Sequence, residues 1–206
     1  FTEPFAYPGA SMGGGAVGEA IALGRNGKLW CLNLEDRTID LVAQGYSFSD
    51  GVLLEYGKSG SRETSVLITE TIKFRMMRLF LDGERAGRDQ VVWKDLPGMP
   101  DGLDRDSKGR IWIGLLKKRS GLVNLIHKHP WIKPLFLRLP ESWIPAGKST
   151  GIVALSSDAS KVLYYAPHDG KAINDISVVV PGKDRIYLPR FDRSSRGFYS
   201  MKHPLD

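Results

Sequence analysis

"GRIWIG", Gly109–Gly114, joins a turn glycine, a cation and a run of aliphatic and aromatic residues. The chain uses the same order twice more, in "GKLWCL" at 27–32 and "DRIYLP" at 184–189. Leu29, Ile111 and Ile186 lie 82 and 75 residues apart, so each interval holds about two units of roughly 40 residues, the size of a propeller blade. "SVLITET" (65–71) and "KVLYYAP" (161–167) supply further strand candidates between the repeats. A strand covered on both faces needs no polar alternation, which explains such unbroken apolar runs. The spacing predicts an all-β chain of about four blades, with strands over 29–32, 66–69, 111–114, 162–165 and 186–188.

Composition narrows the class. Of 206 residues, 42% are hydrophobic and 25% charged, as in an ordinary globular domain rather than a disordered one. The 23 glycines and 12 prolines, scattered among short apolar runs, favour many turns and hence β-structure. A net charge of +6 is spread along the chain, and Lys117-Lys118-Arg119 is its one short basic run. That pattern predicts a solvated surface and no nucleic-acid partner. No run of about 18 apolar residues occurs. The single cysteine excludes an intrachain disulfide, and its place in Leu29-Trp30-Cys31-Leu32 predicts a small buried hydrophobe. The glycine-rich 9–18 has little side-chain area and is expected to pack loosely.

Residues 120–139 break the β pattern. Leu122, Val123, Leu125 and Ile126 recur at helical spacing behind Ser120, a suitable N-cap, and Pro130 and Pro134 then bend the run. A short helical insertion lying across one face of the ring is expected. Its 128–138 portion carries Lys128, Trp131, Lys133, Phe136 and Arg138, a basic and apolar set suited to a membrane surface. His127 and His129 are two apart and point to different sides of a helix, so a shared metal between them is not expected.

"LPGMPDGLDRDSKGRIWIG", 96–114, places Asp101 in a Pro-Asp-Gly sequence ahead of a strand. Turn chemistry accounts for such a residue, and a ligand or metal site at the mouth of a β-structure also would. Asp104 and Asp106 are expected in a solvated turn.

Taken in order, "YSFSDGVLL", "VLITETIKFRMMRLFLDGERAG", "LPGMPDGLDRDSKGRIWIG" and "HPWIKPLFLRL" resemble the strictosidine synthase-like family, which includes the adipocyte plasma membrane-associated proteins. That family lies within the six-bladed propellers that contain gluconolactonases, senescence-marker proteins and paraoxonases. The resemblance implies that 1–206 is a partial β-propeller, the later four blades with the first two absent. It implies a divalent ion, calcium, at the central channel, with Asp50 in "FSDGV" and Asp101 in "MPDGL" as metal ligands. Asp50 replaces the usual Asn but still offers hard oxygens. It further implies a hydrolase of lactones, esters or phosphotriesters, acting on a small-molecule substrate with the metal polarising its oxygen. A non-catalytic binding or membrane-associated propeller is the alternative. No Glu follows Glu141, where the synthases carry their catalytic glutamate; Asp175 is the nearest carboxylate, and a Pictet–Spengler condensation is not expected.

Overall fold

The computed structural model describes residues 1–5, 15–57, 64–140, 143, 147–191 and 197–206. Among these described residues fourteen strands form four antiparallel sheets, each a meander of sequential neighbours. The first holds β1 (Thr2–Glu3), β2 (Gly27–Leu32) and β3 (Ile39–Tyr46). The second holds β4 (Ser49–Glu55), β5 (Ser65–Glu70), β6 (Arg75–Phe80) and β7 (Asp89–Trp93). The third holds β8 (Gly98–Arg105), β9 (Ile111–Lys118), β10 (Thr150–Leu155) and β11 (Val162–His168). The fourth holds β12 (Val180–Pro181), β13 (Arg185–Leu188) and β14 (Tyr199–Lys202). The leading strands β1, β4, β8 and β12 touch in succession. The sheets are therefore blades ranged about one axis, a partial β-propeller of the six-bladed type.

Three apolar clusters lie between successive blades. Leu29, Tyr46, Val66 and Ile68 join the first and second; Leu67, Leu103, Ile111, Ile113 and Val153 join the second and third; Trp112, Ile152, Ala154 and Ile186 join the third and fourth. Alternate residues of β5, β9 and β10 thus enter opposite interfaces, as the period of two requires. That is why these strands read as continuous apolar runs. The five predicted strands all form, but two-sided burial does not hold for every one. On β13 Ile186 and Leu188 are buried while Arg185 and Tyr187 are exposed, β11 is an outer strand, and the far end of β2 is open. Cys31 sits at that end and is exposed, which corrects the buried hydrophobe read from its apolar neighbours.

The repeats prove to be the second strands of their blades: β2, β9 and β13 carry the three quoted copies, and β5 is the equivalent strand of the second blade. The interval from β2 to β9 spans two blades. The similar interval from β9 to β13 spans one, lengthened by the insertion between β9 and β10. "KVLYYAP" is the fourth strand of the third blade rather than a further copy.

The insertion is helical as read. Ser120 Oγ accepts a hydrogen bond from Val123 N–H at the start of α2 (Gly121–Lys128), a 3₁₀ turn begins at Pro130, and α3 (Lys133–Leu137) has Pro134 in its first turn. Prolines there forfeit N–H groups that a helix start leaves unpaired anyway. The glycine-rich 9–18 lies outside the described residues up to 14, and beyond it Ala16–Ala22 form a helix, α1. This helix packs on the insertion: His127 Nε2 meets the Ala20 carbonyl at 2.7 Å, and Lys133 Nζ donates to the Ala22 carbonyl at 2.8 Å.

Candidate metal centre and adjoining cavity

The inner strands are tied across the blades through the two Asp-Gly pairs. Gly51 N–H donates to Thr69 Oγ1 at 2.7 Å, and the Thr69 hydroxyl donates to the Asp101 carbonyl at 2.8 Å. Gly102 N–H donates to the Ser177 carbonyl at 2.7 Å, and Thr2 Oγ1 donates to the Asp50 carbonyl. Both glycines serve close approach. A Cβ on Gly51 would lie 2.3 Å from the Asp101 carbonyl oxygen, and one on Gly102 would lie 2.7 Å from Val178 Cβ. Neither glycine has a positive φ. The turn reading of "PDG" is thereby corrected: Asp50 and Asp101 lie in β4 and β8, where the pairing register shifts between Ser49 and Val52 and between Pro100 and Leu103. Such bulges re-aim side chains out of the ladder.

The two carboxyls meet on adjacent inner strands, close enough for each to act on the other's titration. Burial raises both above the ordinary carboxylate range, and the Asp50 charge raises Asp101 further. Among the described residues no cation contributes to the shift of either acid. Two adjacent hard-oxygen donors without a counter-charge fit a divalent cation in kind. In number they supply part of a calcium shell of about 6–8 oxygens. Among the described residues no group of three or more His, Cys, Asp and Glu side chains gathers at one point.

Other acids are committed elsewhere. Asp106 is only 8% exposed, not in a solvated turn. It accepts from Arg110 Nε at 2.5 Å and Trp112 Nε1 at 2.8 Å, and Arg110 reaches on to Asp206. Burial alone would raise the Asp106 carboxyl, but these hydrogen bonds outweigh it and hold the group below its usual range. Asp104 is partly buried in β8. Asp175 is paired with Lys117. His127 holds α1, and burial lowers its pKa.

Above the acid-bearing strands, α1, α2 and the ends of β9 enclose a cavity of about 550 Å³. Phe48, just ahead of β4, and Met99 in β8, each two residues before an acid, line it together with Val17, Ile21, Ile72 and Ile126. The basic run 117–119 also lines it, rather than forming a wholly solvated surface. Nothing local in the sequence marks this cavity, because its wall comes from six separate segments.

No family model matches the chain. It is 31% identical over 155 residues to Protein STRICTOSIDINE SYNTHASE-LIKE 10 of Arabidopsis thaliana, covering 72% of this chain and 40% of that protein. The chain is similar to the strictosidine synthase-like proteins. It is 25% identical over 118 residues to the human adipocyte plasma membrane-associated protein, covering 55% of the chain and 27% of that protein. The chain therefore spans two fifths or less of the length of these relatives. Among solved structures, the calcium-binding protein regucalcin from Agrobacterium tumefaciens superposes with a TM-score of 0.49 at 13% identity, over 85% of this chain and 48% of that one.

Proposed function

We propose that the chain forms part of a metal-dependent hydrolase of lactones, esters or phosphotriesters, with Asp50 and Asp101 holding a divalent cation, calcium in preference. The observation that carries this reading is the uncompensated acid pair, a buried Asp101 and a half-buried Asp50 in mutual contact on neighbouring inner strands. Like charges so placed disfavour joint ionisation, and a divalent ion relieves both. Oxygen-only donors suit calcium or magnesium rather than a soft metal. When bound, such an ion polarises a carbonyl or phosphoryl oxygen and lowers the pKa of its water. The chain's own contribution is positional. The Thr69 hydroxyl bridges the Gly51 amide and the Asp101 carbonyl, which fixes the two acid-bearing bulges against each other.

Calorimetric titration with calcium tests the reading. Asp101→Asn should weaken binding tenfold or more, about 1.4 kcal/mol for one lost ligand, and chelation should abolish turnover of a lactone or aryl ester. Calcium binding indifferent to Asp101→Asn would refute it. A second reading, contact with a membrane surface through 128–138, is favoured by Trp131 and Leu135, which are 79% and 64% exposed beside Lys128 and Arg138. Co-sedimentation with anionic vesicles that Trp131→Ala diminishes would support it, and equal sedimentation of the variant would exclude it.

A further inference from the structure

We propose that a hollow between α2, the 3₁₀ turn Thr71–Lys73 and the residue after β9 binds a phosphate monoester, held by Lys73, Arg119, Asn124 and Lys128. The proposal depends neither on a metal at Asp50 and Asp101 nor on membrane contact through 128–138.

Segments far apart in the chain turn their polar groups into one hollow of about 430 Å³. Asn124, His127 and Lys128 stand at positions i, i+3 and i+4 of α2 and so share a face. Lys73 comes from the 3₁₀ turn, and Arg119 follows the last residue of β9. Leu23, Ile72 and Phe74 add apolar wall, and among the described residues no Asp or Glu lines the hollow.

A cation in the last turn of a helix is ordinary, because it meets the helix dipole. That accounts for Lys128 but not for Lys73 and Arg119, whose side chains come from other elements and are only 24% and 34% exposed. Nearby carboxylates do not balance the charge. Glu70, 3.7 Å from Lys73 Nζ, is shared with Arg75, and Asp95 meets Arg119 at 3.1 Å from a largely exposed position. Lys128 has no carboxylate partner among the described residues. Burial holds the Lys73 ammonium below the ordinary lysine range; Glu70 opposes that shift, and Arg75 and Arg25 add to it. Burial likewise lowers His127, and Lys133 lowers it further. An anion in the hollow relieves these repulsions together.

Donors are free to meet it. The Arg119 guanidinium lies over the Phe74 ring, 4.5 Å from its centroid, with Nε donating to Asn124 Oδ1 at 3.3 Å and Nη1 to Asp95. Among the described residues, Arg119 Nη2, Asn124 Nδ2 and the Lys128 ammonium stay unengaged. A phosphate monoester brings about −1.5 to −2 charges at neutral pH and three strong acceptor oxygens. Leu23, Ile72 and Phe74 offer its carbon substituent an apolar contact.

The test is calorimetric titration of the metal-free protein with glycerol 3-phosphate, with sodium sulfate as the control for charge alone. Glycerol 3-phosphate should bind at least fivefold more tightly than sulfate. Lys73→Met and Lys128→Met should each weaken it fivefold or more, as expected for one lost charged hydrogen bond, and Lys128→Arg should bind as the parent does. Asn124→Asp, which sets a carboxylate on the exposed face of α2, should abolish binding with the melting temperature unchanged or higher. Sedimentation with phosphatidylcholine vesicles, with and without phosphatidic acid, identifies the source of the phosphate. A gain from phosphatidic acid that Asn124→Asp removes makes the ligand a lipid headgroup; glycerol 3-phosphate binding without that gain makes it a soluble ester. Equal binding of sulfate, or glycerol 3-phosphate binding indifferent to Asn124→Asp, would overturn the proposal.

Discussion

Replacing Asp106 by Ala should cost the protein about 4 kcal/mol. The carboxylate accepts four hydrogen bonds: from Lys108 N–H and Arg110 N–H at 2.9 Å each, from Arg110 Nε at 2.5 Å and from Trp112 Nε1 at 2.8 Å. The first two close the turn between β8 and β9. The third is an ion pair whose guanidinium also reaches Asp206 at 2.8 Å and the Leu205 carbonyl at 3.1 Å, clamping the third blade to the end of the chain. Trp112 is fully buried, with the His203 ring edge-on at 5.1 Å, so Ala strands its indole N–H away from water. Removing one member of a buried ionic network costs about 3–5 kcal/mol because the partner is left unpaired. For a chain of this size about 4 kcal/mol lowers the melting temperature by about 8–16 °C. Because the folded Asp106 pKa is depressed, its contribution is full above the unfolded carboxylate range and is lost as pH falls through the lower folded value. Asp106→Ala should therefore converge with the parent in acid. Urea unfolding at neutral and acid pH measures both effects. A loss below about 1 kcal/mol at neutral pH would refute the network as a stability element.

In the metal-free protein, stability from Asp50 and Asp101 runs the opposite way: their raised folded pKa values carry no penalty below the ordinary carboxylate range and a growing one as pH rises. Urea midpoints in EDTA should fall from mild acid to mild alkali, and Asp101→Asn should flatten that slope; a steeper slope in the variant would contradict the pairing. Gly114→Ala should destabilise by about 1–3 kcal/mol, because its Cβ would sit 2.7 Å from the Ser177 carbonyl oxygen and 2.8 Å from Val178 N, both backbone atoms. An unchanged thermal melt for Gly114→Ala would show that the third and fourth blades can part more easily than their packing implies.

The sequence by itself determined the strand runs and the helical insertion, because both are written in local periodicity and capping. Val66 to Ile68 and Ile111 to Ile113 are apolar at successive positions, and a strand between two interfaces buries such a run on both faces. Ser120, Pro130 and Pro134 mark helix starts through their own backbone chemistry. The importance of "SDG" and "PDG" was legible too, although their glycines serve inter-blade approach and not a turn. What only the tertiary structure decided was who meets whom. Cys31 shares its apolar neighbourhood with Leu29, but it lies at the open end of β2, and residue type cannot reveal that. Asp106 reads as a turn acid until Trp112, Arg110 and the chain's last residues close over it. The mutual contact of Asp50 and Asp101, and the cavity beneath α1 and α2, arise between strands and helices far apart in the chain. Such relations depend on how blades pack around an axis, and no local pattern of side chains encodes that distance.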